Sequence, residues 1–209
     1  IHLYQPALVD AVPLVVVYDG SDYLRRAKMT KMVDRLIAEG RIMPVALALI
    51  DNGGAARGLE YSCNEATIGM LIEEILPLAH RELNLLDINN NPGSFGVLGA
   101  SMGGLMALYT GLRLPHIFGK VLSQSGAFSF GVYDTIVFDL VRCGDVLPIN
   151  IWMDVGLYDM PSLLAANRRM HPLLESRGYP VIYREYTAGH NYPAWRDDLW
   201  WGLASLFTR

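Results

Sequence analysis

A serine set among glycines stands at Gly99-Ala100-Ser101-Met102-Gly103, with Gly104 next. A serine hydroxyl is a useful nucleophile only when a base takes its proton and an acid holds that base in place. The G-x-S-x-G pattern presents such a serine on a sharp strand-to-helix turn, and the acid and then the histidine follow later in the chain. Of the five histidines, His190 fits this order, because Ala188-Gly189-His190-Asn191 is a small-residue loop between an apolar stretch and the last helical one. His2 is near a terminus, His80 lies on an early helical stretch, His116 follows Pro115, and His171 falls inside a helical stretch; these four read as structural or solvent-facing. For the acid, Asp159 follows Gly156-Leu157-Tyr158, where a loop can turn a carboxylate toward His190. Asp154, at the end of the expected strand 147–154, is its rival.

Acyl transfer through such a serine passes through a tetrahedral oxyanion that needs two donors aimed at the developing charge. The backbone N–H of Met102 is the first expected donor. The second comes from the loop after the first core strand, with Ser21 the leading position and Asp22 its neighbour. The chemistry expected is attack by Ser101 assisted by His190, departure of an alcohol, and hydrolysis of the acyl-enzyme by water. It calls for no metal and no organic cofactor, and spacings of the CxxC or HExxH type are missing from the chain. The competing use of these glycines is a packing turn with Ser101 as a helix cap. A dinucleotide fingerprint needs a different glycine order, and no P-loop lysine follows.

The elements that must hold these groups are legible as alternation. Apolar runs at 11–18, 44–50, 95–100, 120–123, 147–154 and 181–186 read as strands buried on both faces. Helical spacing recurs at 24–39, 64–83, 102–112, 133–142, 161–176 and 194–207, with Pro77 expected to kink or split the second. The segment 124–131 reads as a loop, and 124–145 as the best candidate for an insertion. This pattern is α/β: a mainly parallel central sheet with helices on both faces, the α/β-hydrolase architecture.

Bulk properties narrow the classes further. The 209 residues are 52% hydrophobic and 18% charged, which excludes a disordered chain. With 17 basic and 21 acidic residues the formal charge is -4, so no global field favours nucleic acid or an anionic membrane surface. The cationic cluster Arg25, Arg26, Lys28 and Lys31 fits the wet face of a helix. Cys63 and Cys143 read as two reduced thiols. No membrane-length run and no signal-like opening appears, which reads as a cytoplasmic protein that binds a small-molecule ester. The chain starts at Ile1 rather than Met; residues 1–209 are expected to form one catalytic domain, alone or as part of a longer protein.

Taken together, Tyr18-Asp19-Gly20, the elbow from Gly99 to Gly104, and Ala188-Gly189-His190-Asn191-Tyr192-Pro193-Ala194-Trp195-Arg196 resemble the esterase D-like family. Within it the chain resembles the catalytic domain of enterochelin (enterobactin) esterases, on the composite of Trp152-Met153-Asp154-Val155-Gly156, Asn167-Arg168, Gly189-His190-Asn191 and Trp195-Arg196. The resemblance implies Ser101 as nucleophile, His190 as base and an acid near Asp159. It also implies that Arg57 and Glu60 shape the mouth of the site, either with Arg57 facing an anionic catecholate or with Arg57 in a salt bridge to Glu60 or another acid. Trp195, Tyr158 and Tyr192 would stack on an aromatic acyl group or fix the loop. Enterochelin esterases hydrolyse the esters of a catecholate trilactone siderophore, so the resemblance implies such a substrate. Similar scaffolds serve feruloyl and carbohydrate-ester esterases, S-formylglutathione hydrolases and acyl transferases. A noncatalytic hydrolase-like binding module is the alternative outside enzymes.

Overall fold

The computed structural model describes residues 1–7 and 10–208. Its strands are β1 (His2–Tyr4), β2 (Leu14–Tyr18), β3 (Ala46–Ile50), β4 (Phe95–Ala100), β5 (Phe118–Gln124), β6 (Ser129–Phe130), β7 (Tyr133–Asp134), β8 (Asn150–Tyr158) and β9 (Val181–Gly189). Its α-helices are α1 (Gly20–Arg25), α2 (Met29–Ala38), α3 (Arg57–Glu60), α4 (Glu65–Met70), α5 (Leu76–Glu82), α6 (Met102–Arg113), α7 (Ile136–Cys143), α8 (Pro161–Arg177) and α9 (Tyr192–Leu206).

Seven strands form one sheet in the order β1-β3-β2-β4-β5-β8-β9, parallel throughout except for β1. Every residue of β2, β3 and β4 is buried, because helices cover both faces. On one face Tyr23, Met29, Val33, Leu36, Leu199 and Leu203, from α1, α2 and α9, pack against Val15, Val17, Leu98 and Leu122. On the other, Leu105, Leu108, Met170 and Leu174, from α6 and α8, join Val16, Val97 and Val121. Alternate residues of each strand thus feed opposite cores. The expected mainly parallel sheet covered on both faces is what the chain adopts.

Several boundaries differ from the sequence reading. The helix expected over 24–39 is two helices, because Lys28 takes a left-handed conformation (φ 55) between them. Of the four exposed cations, Arg25 lies in α1 and Lys31 in α2, while Arg26 and Lys28 lie in the turn between them, so they do not form the face of one helix. The stretch 64–83 divides into α4, a wide turn of π type at Leu71–Ile75, and α5, with Pro77 in the first turn of α5. Proline has no N–H to donate, and the wide turn absorbs the missing bond.

Residues 124–134 hold more order than expected, because β6 and β7 pair as a small hairpin, and α7 follows where a helix was expected over 133–142. The largest consequence for the site lies in β8. It runs to Tyr158, pairing with β9 past an irregularity as far as Tyr158 opposite Gly189. Asp154 is accordingly an interior strand residue between Gln124 of β5 and Arg184 of β9, and Asp159 is the first residue after the strand.

Candidate active site

Ser101 sits between β4 and α6 with φ 58 and ψ -120, a backbone conformation that costs a non-glycine residue energy and that the packing around it must impose. Two glycines make the turn possible. A Cβ on Gly99 would stand 2.4 Å from the Gly103 carbonyl oxygen, and one on Gly104 would stand 2.8 Å from Ser123 Oγ. The Ser101 N–H donates to the Gln124 carbonyl at 2.8 Å, and its carbonyl accepts from Ala127 N at 3.0 Å, so the neighbouring β5 and its loop clamp the elbow from both sides.

His190 follows β9 and directly precedes Asn191, whose side chain caps α9 by accepting from Ala194 N at 3.0 Å. Its Nε2 lies 3.0 Å from Ser101 Oγ, and its Nδ1 lies 2.9 Å from Asp159 Oδ1. With the serine hydroxyl donating to Nε2, the Nδ1–H donates to the carboxylate. Asp159 is 6% exposed, and burial alone would raise its pKa. The hydrogen bond from His190, the nearby Ser125 hydroxyl, attraction to His190 and the Met160 N–H outweigh that cost, and the pKa ends below its ordinary value.

The rival carboxyl is elsewhere. Asp154 is fully buried, and its Oδ2 accepts from Trp152 Nε1 at 2.9 Å and from Gln124 Nε2 at 3.2 Å, while Oδ1 has no protein partner. Burial, assisted by the charge of Asp198, raises its pKa to about 7 against the pull of Trp152, Gln124 and Arg184. Gln124 also donates to the Trp195 carbonyl at 3.0 Å and accepts from the Tyr23 hydroxyl at 3.0 Å. Asp154 thus belongs to a polar floor beneath the site. Ser125 belongs there too: at φ 48, its hydroxyl accepts from Trp195 Nε1 at 3.0 Å.

Met102 opens α6, where the first N–H groups have no acceptor within the helix. The loop after β2 is less accommodating than expected. The Ser21 N–H is spent on Asp51 Oδ1 at 2.8 Å, and the Asp22 N–H on the Asp19 carbonyl at 3.0 Å. Ser21 lines a hollow with Asp19, Asp22, Asp51 and Asn52, apart from the lining of the cleft over Ser101, and its N–H is not offered to an oxyanion.

Arg57 pairs with Asp19 and not with Glu60. Its Nε and Nη2 each lie 2.7 Å from one oxygen of the Asp19 carboxylate, which Asn52 also contacts at 2.6 Å. Asp19 is 2% exposed, adopts φ 57 before Gly20, and directs Oδ2 to within 3.2 Å of where a Gly103 Cβ would sit. The pair is electrically neutral and leaves part of the guanidinium free as a donor. Glu60 braces the preceding loop instead, accepting from the Gly53 N–H at 2.8 Å.

The three aromatic candidates separate. Trp195 is buried and meets the His190 ring edge-on at 4.8 Å, which fixes the imidazole. Tyr192 is buried between Tyr23, Trp195 and the Arg26 guanidinium. Tyr158 is 74% exposed beside Asp159, so it alone among them stands open to a ligand. Sequence reasoning gave no role to Asp19, Gln124 or Ser125. For Asp19 and Ser125 the available signal was a residue followed by glycine after a buried strand, Asp19-Gly20 and Ser125-Gly126; Gln124, the last residue of β5, carried none.

A cleft of about 270 Å³ opens directly over Ser101 and Met102, walled by Phe130, Met160 and Leu163. A larger one of about 370 Å³ lies behind α3, lined by Leu59, Tyr61 and Met70 and by none of the three hydrogen-bonded residues. Among the described residues no cluster of three His, Cys, Asp or Glu side chains is placed to hold a metal ion, and both cysteines are free thiols. Among the same residues, no helix is long and apolar enough to cross a membrane.

A parallel sheet with a strained serine between strand and helix, and a histidine presented after the last strand, defines the α/β-hydrolase class. The chain belongs to the Esterase family, whose profile matches residues 3–206. It is 32% identical to the iron(III) enterobactin esterase of Dickeya dadantii over 94% of this chain and 48% of that protein. For the enzyme of the same name from Escherichia coli strain K12 the figures are 28%, 96% and 51%. The chain therefore spans about half the length of these relatives. The crystal structure of the Shigella flexneri enterobactin esterase in the presence of enterobactin superposes with a TM-score of 0.88 at 26% identity, over 98% of this chain and 54% of that one. A ferulic acid esterase shares the fold at a TM-score of 0.76 and 18% identity, over 95% and 85% of the two chains.

Proposed function

We propose that the chain is a serine carboxylic-ester hydrolase that works through an acyl-enzyme on esters with an aromatic acyl arm, of the kind found in a catecholate siderophore trilactone. The observation that carries this reading is the continuous line from Asp159 through His190 to Ser101, with bonds of 2.9 and 3.0 Å, ending on a nucleophile held at φ 58. The similarity to iron(III) enterobactin esterases supports the substrate class.

In this mechanism Ser101 Oγ attacks the ester carbonyl while its proton passes to His190 Nε2. Asp159, kept ionised, stabilises the imidazolium and holds its tautomer. The negative charge on the former carbonyl oxygen meets the Met102 N–H at the helix N-terminus, where the α6 dipole adds to the attraction. Collapse breaks the bond to the alkoxide oxygen, which takes the proton from Nε2 and leaves as alcohol. Water then gives its proton to Nε2 and attacks the acyl carbon, and the second collapse returns the proton to Ser101 and frees the acid. The Arg57–Asp19 pair stands on the opposite side of the β4 elbow from the β5, β8 and β9 loops, and offers a hydrogen-bond donor to the leaving half of the ester.

The test is single-turnover hydrolysis of a catecholate trilactone, a feruloyl ester and an aryl acetate, with Ser101→Ala and intact-mass detection of an acyl adduct. A serine-dependent adduct with preference for the trilactone is expected. Cleavage of only the feruloyl ester or aryl acetate would move the substrate to the feruloyl or carbohydrate-ester class, and turnover unaffected by Ser101→Ala would overturn the mechanism.

A further inference from the structure

The segment after β5 is rigid at its base and apolar at its tip. Phe128 is fully buried, and its carbonyl accepts from both the Thr135 N–H (2.9 Å) and the Thr135 hydroxyl (2.8 Å). Arg169 of α8 grips Asp134 with two bonds, at 2.6 and 3.1 Å. Ala127 donates to the Ser101 carbonyl, so the base of the hairpin is tied to the nucleophile itself. From this base β6 and β7 project, turning at Gly131 (φ 62), and leave Phe130 48% exposed. Across the cleft Met160, also 48% exposed, is set by the turn that carries Asp159, whose carboxylate accepts its N–H at 2.7 Å.

Two large apolar side chains thus stand in water on either side of the nucleophile, each mounted on an element that also positions a reacting group. Both line the concave cleft over Ser101, where a ligand with an apolar face would remove them from water. The cleft they enclose, about 270 Å³, equals the liquid volume of roughly nine waters. That accommodates one benzoyl-amide arm and is too small for a three-armed macrocycle.

We propose that Phe130 and Met160 form a clamp for a single planar aromatic ring on the acyl side of the ester, so that the β6–β7 hairpin selects the acyl arm. The inference rests on the serine-hydrolase reading. The ring meets the Phe130 face offset or edge-on, and the Met160 thioether contacts its edge. The Thr135 and Arg169 bonds that hold the base of the hairpin reduce the ordering cost on binding. The acyl arm then seats beside Met102, and the alcohol half is left on the Asp19–Arg57 side of the elbow.

The experiment compares two esters with one common alcohol, one acylated by N-(2,3-dihydroxybenzoyl)serine and one by N-acetylserine, on wild type, Phe130→Ala, Met160→Ala and Val132→Ala. Val132 is 88% exposed at the hairpin turn, outside the cleft lining, and serves as the control. The expected result is that Phe130→Ala lowers the aryl-to-acetyl ratio of kcat/KM by about tenfold, chiefly through KM, with a smaller drop for Met160→Ala and none for Val132→Ala. Phe130→Tyr, which keeps the ring, should restore the ratio. Equal losses on both esters, or a ratio unmoved by Phe130→Ala, would overturn the clamp. If wild type cleaves neither ester in a Ser101-dependent way, the hydrolase reading falls first, and that outcome is distinct from a failed clamp.

Discussion

Replacing Asp154 by Asn should abolish a stability loss that the wild-type protein suffers as pH rises from about 4 to about 7. The buried carboxyl has its pKa raised from 3.8 to about 7, first by burial and then by Asp198. Below 3.8 it is protonated whether the chain is folded or not. Between 3.8 and about 7 the unfolded chain has released the proton and the folded chain still holds it. The native state then binds more protons, and unfolding becomes easier as pH increases. Above about 7 both states are ionised and the loss is complete. At about 1.4 kcal/mol per pH unit of displacement, the loss sums to at most roughly 4 kcal/mol. Against a typical domain stability of about 5–15 kcal/mol this is readily measured. Asn is the right replacement, because its carbonyl can accept from Trp152 and Gln124 as Oδ2 does, while its amide occupies the side where Oδ1 has no protein partner. Urea unfolding followed by tryptophan fluorescence at pH 5 and pH 7.5 gives the comparison. Other groups titrate in both proteins, so only the difference between the two counts: Asp154→Asn should gain on wild type as pH rises. Parallel pH dependences would refute the assignment of a neutral buried carboxyl.

Asp159→Asn should lower kcat by about 10³- to 10⁴-fold with an unchanged circular dichroism spectrum, because an amide favours the wrong imidazole tautomer; a loss under tenfold would move the acid role to another group. Arg57→Ala should cost about 1–3 kcal/mol in chemical denaturation by leaving buried Asp19 without two donors, and adding Asp19→Asn should recover part of it. Strictly additive effects would show that the pair is not coupled. Gly99→Ala forces a Cβ to within 2.4 Å of the Gly103 carbonyl oxygen and should lower stability by about 1–3 kcal/mol or more while abolishing turnover. An unchanged Tm with full activity would contradict the elbow geometry.

Periodicity and residue type were enough, from the sequence, for the alternating architecture and for a strand-to-helix turn at Ser101, because uninterrupted apolar strands and a G-x-S-x-G turn are local features. The same local logic located the expected split near Pro77. It failed where partners come from elsewhere in the chain. Nothing near Asp154 says that β8 continues four residues further, since that depends on pairing with β9 as far as Gly189. Only that pairing makes Asp154 a floor residue and leaves Asp159 at the strand end beside His190. Likewise the bond from Ser21 to Asp51, the grip of Asp19 on Arg57, and the exposure of Phe130 and Met160 over Ser101 join loops brought together by the order of strands in the sheet. Spacing along a chain fixes which side chains share a face of one element. Distances between elements are set by packing, and both the carboxylate that meets His190 and the walls of the cleft were decided there.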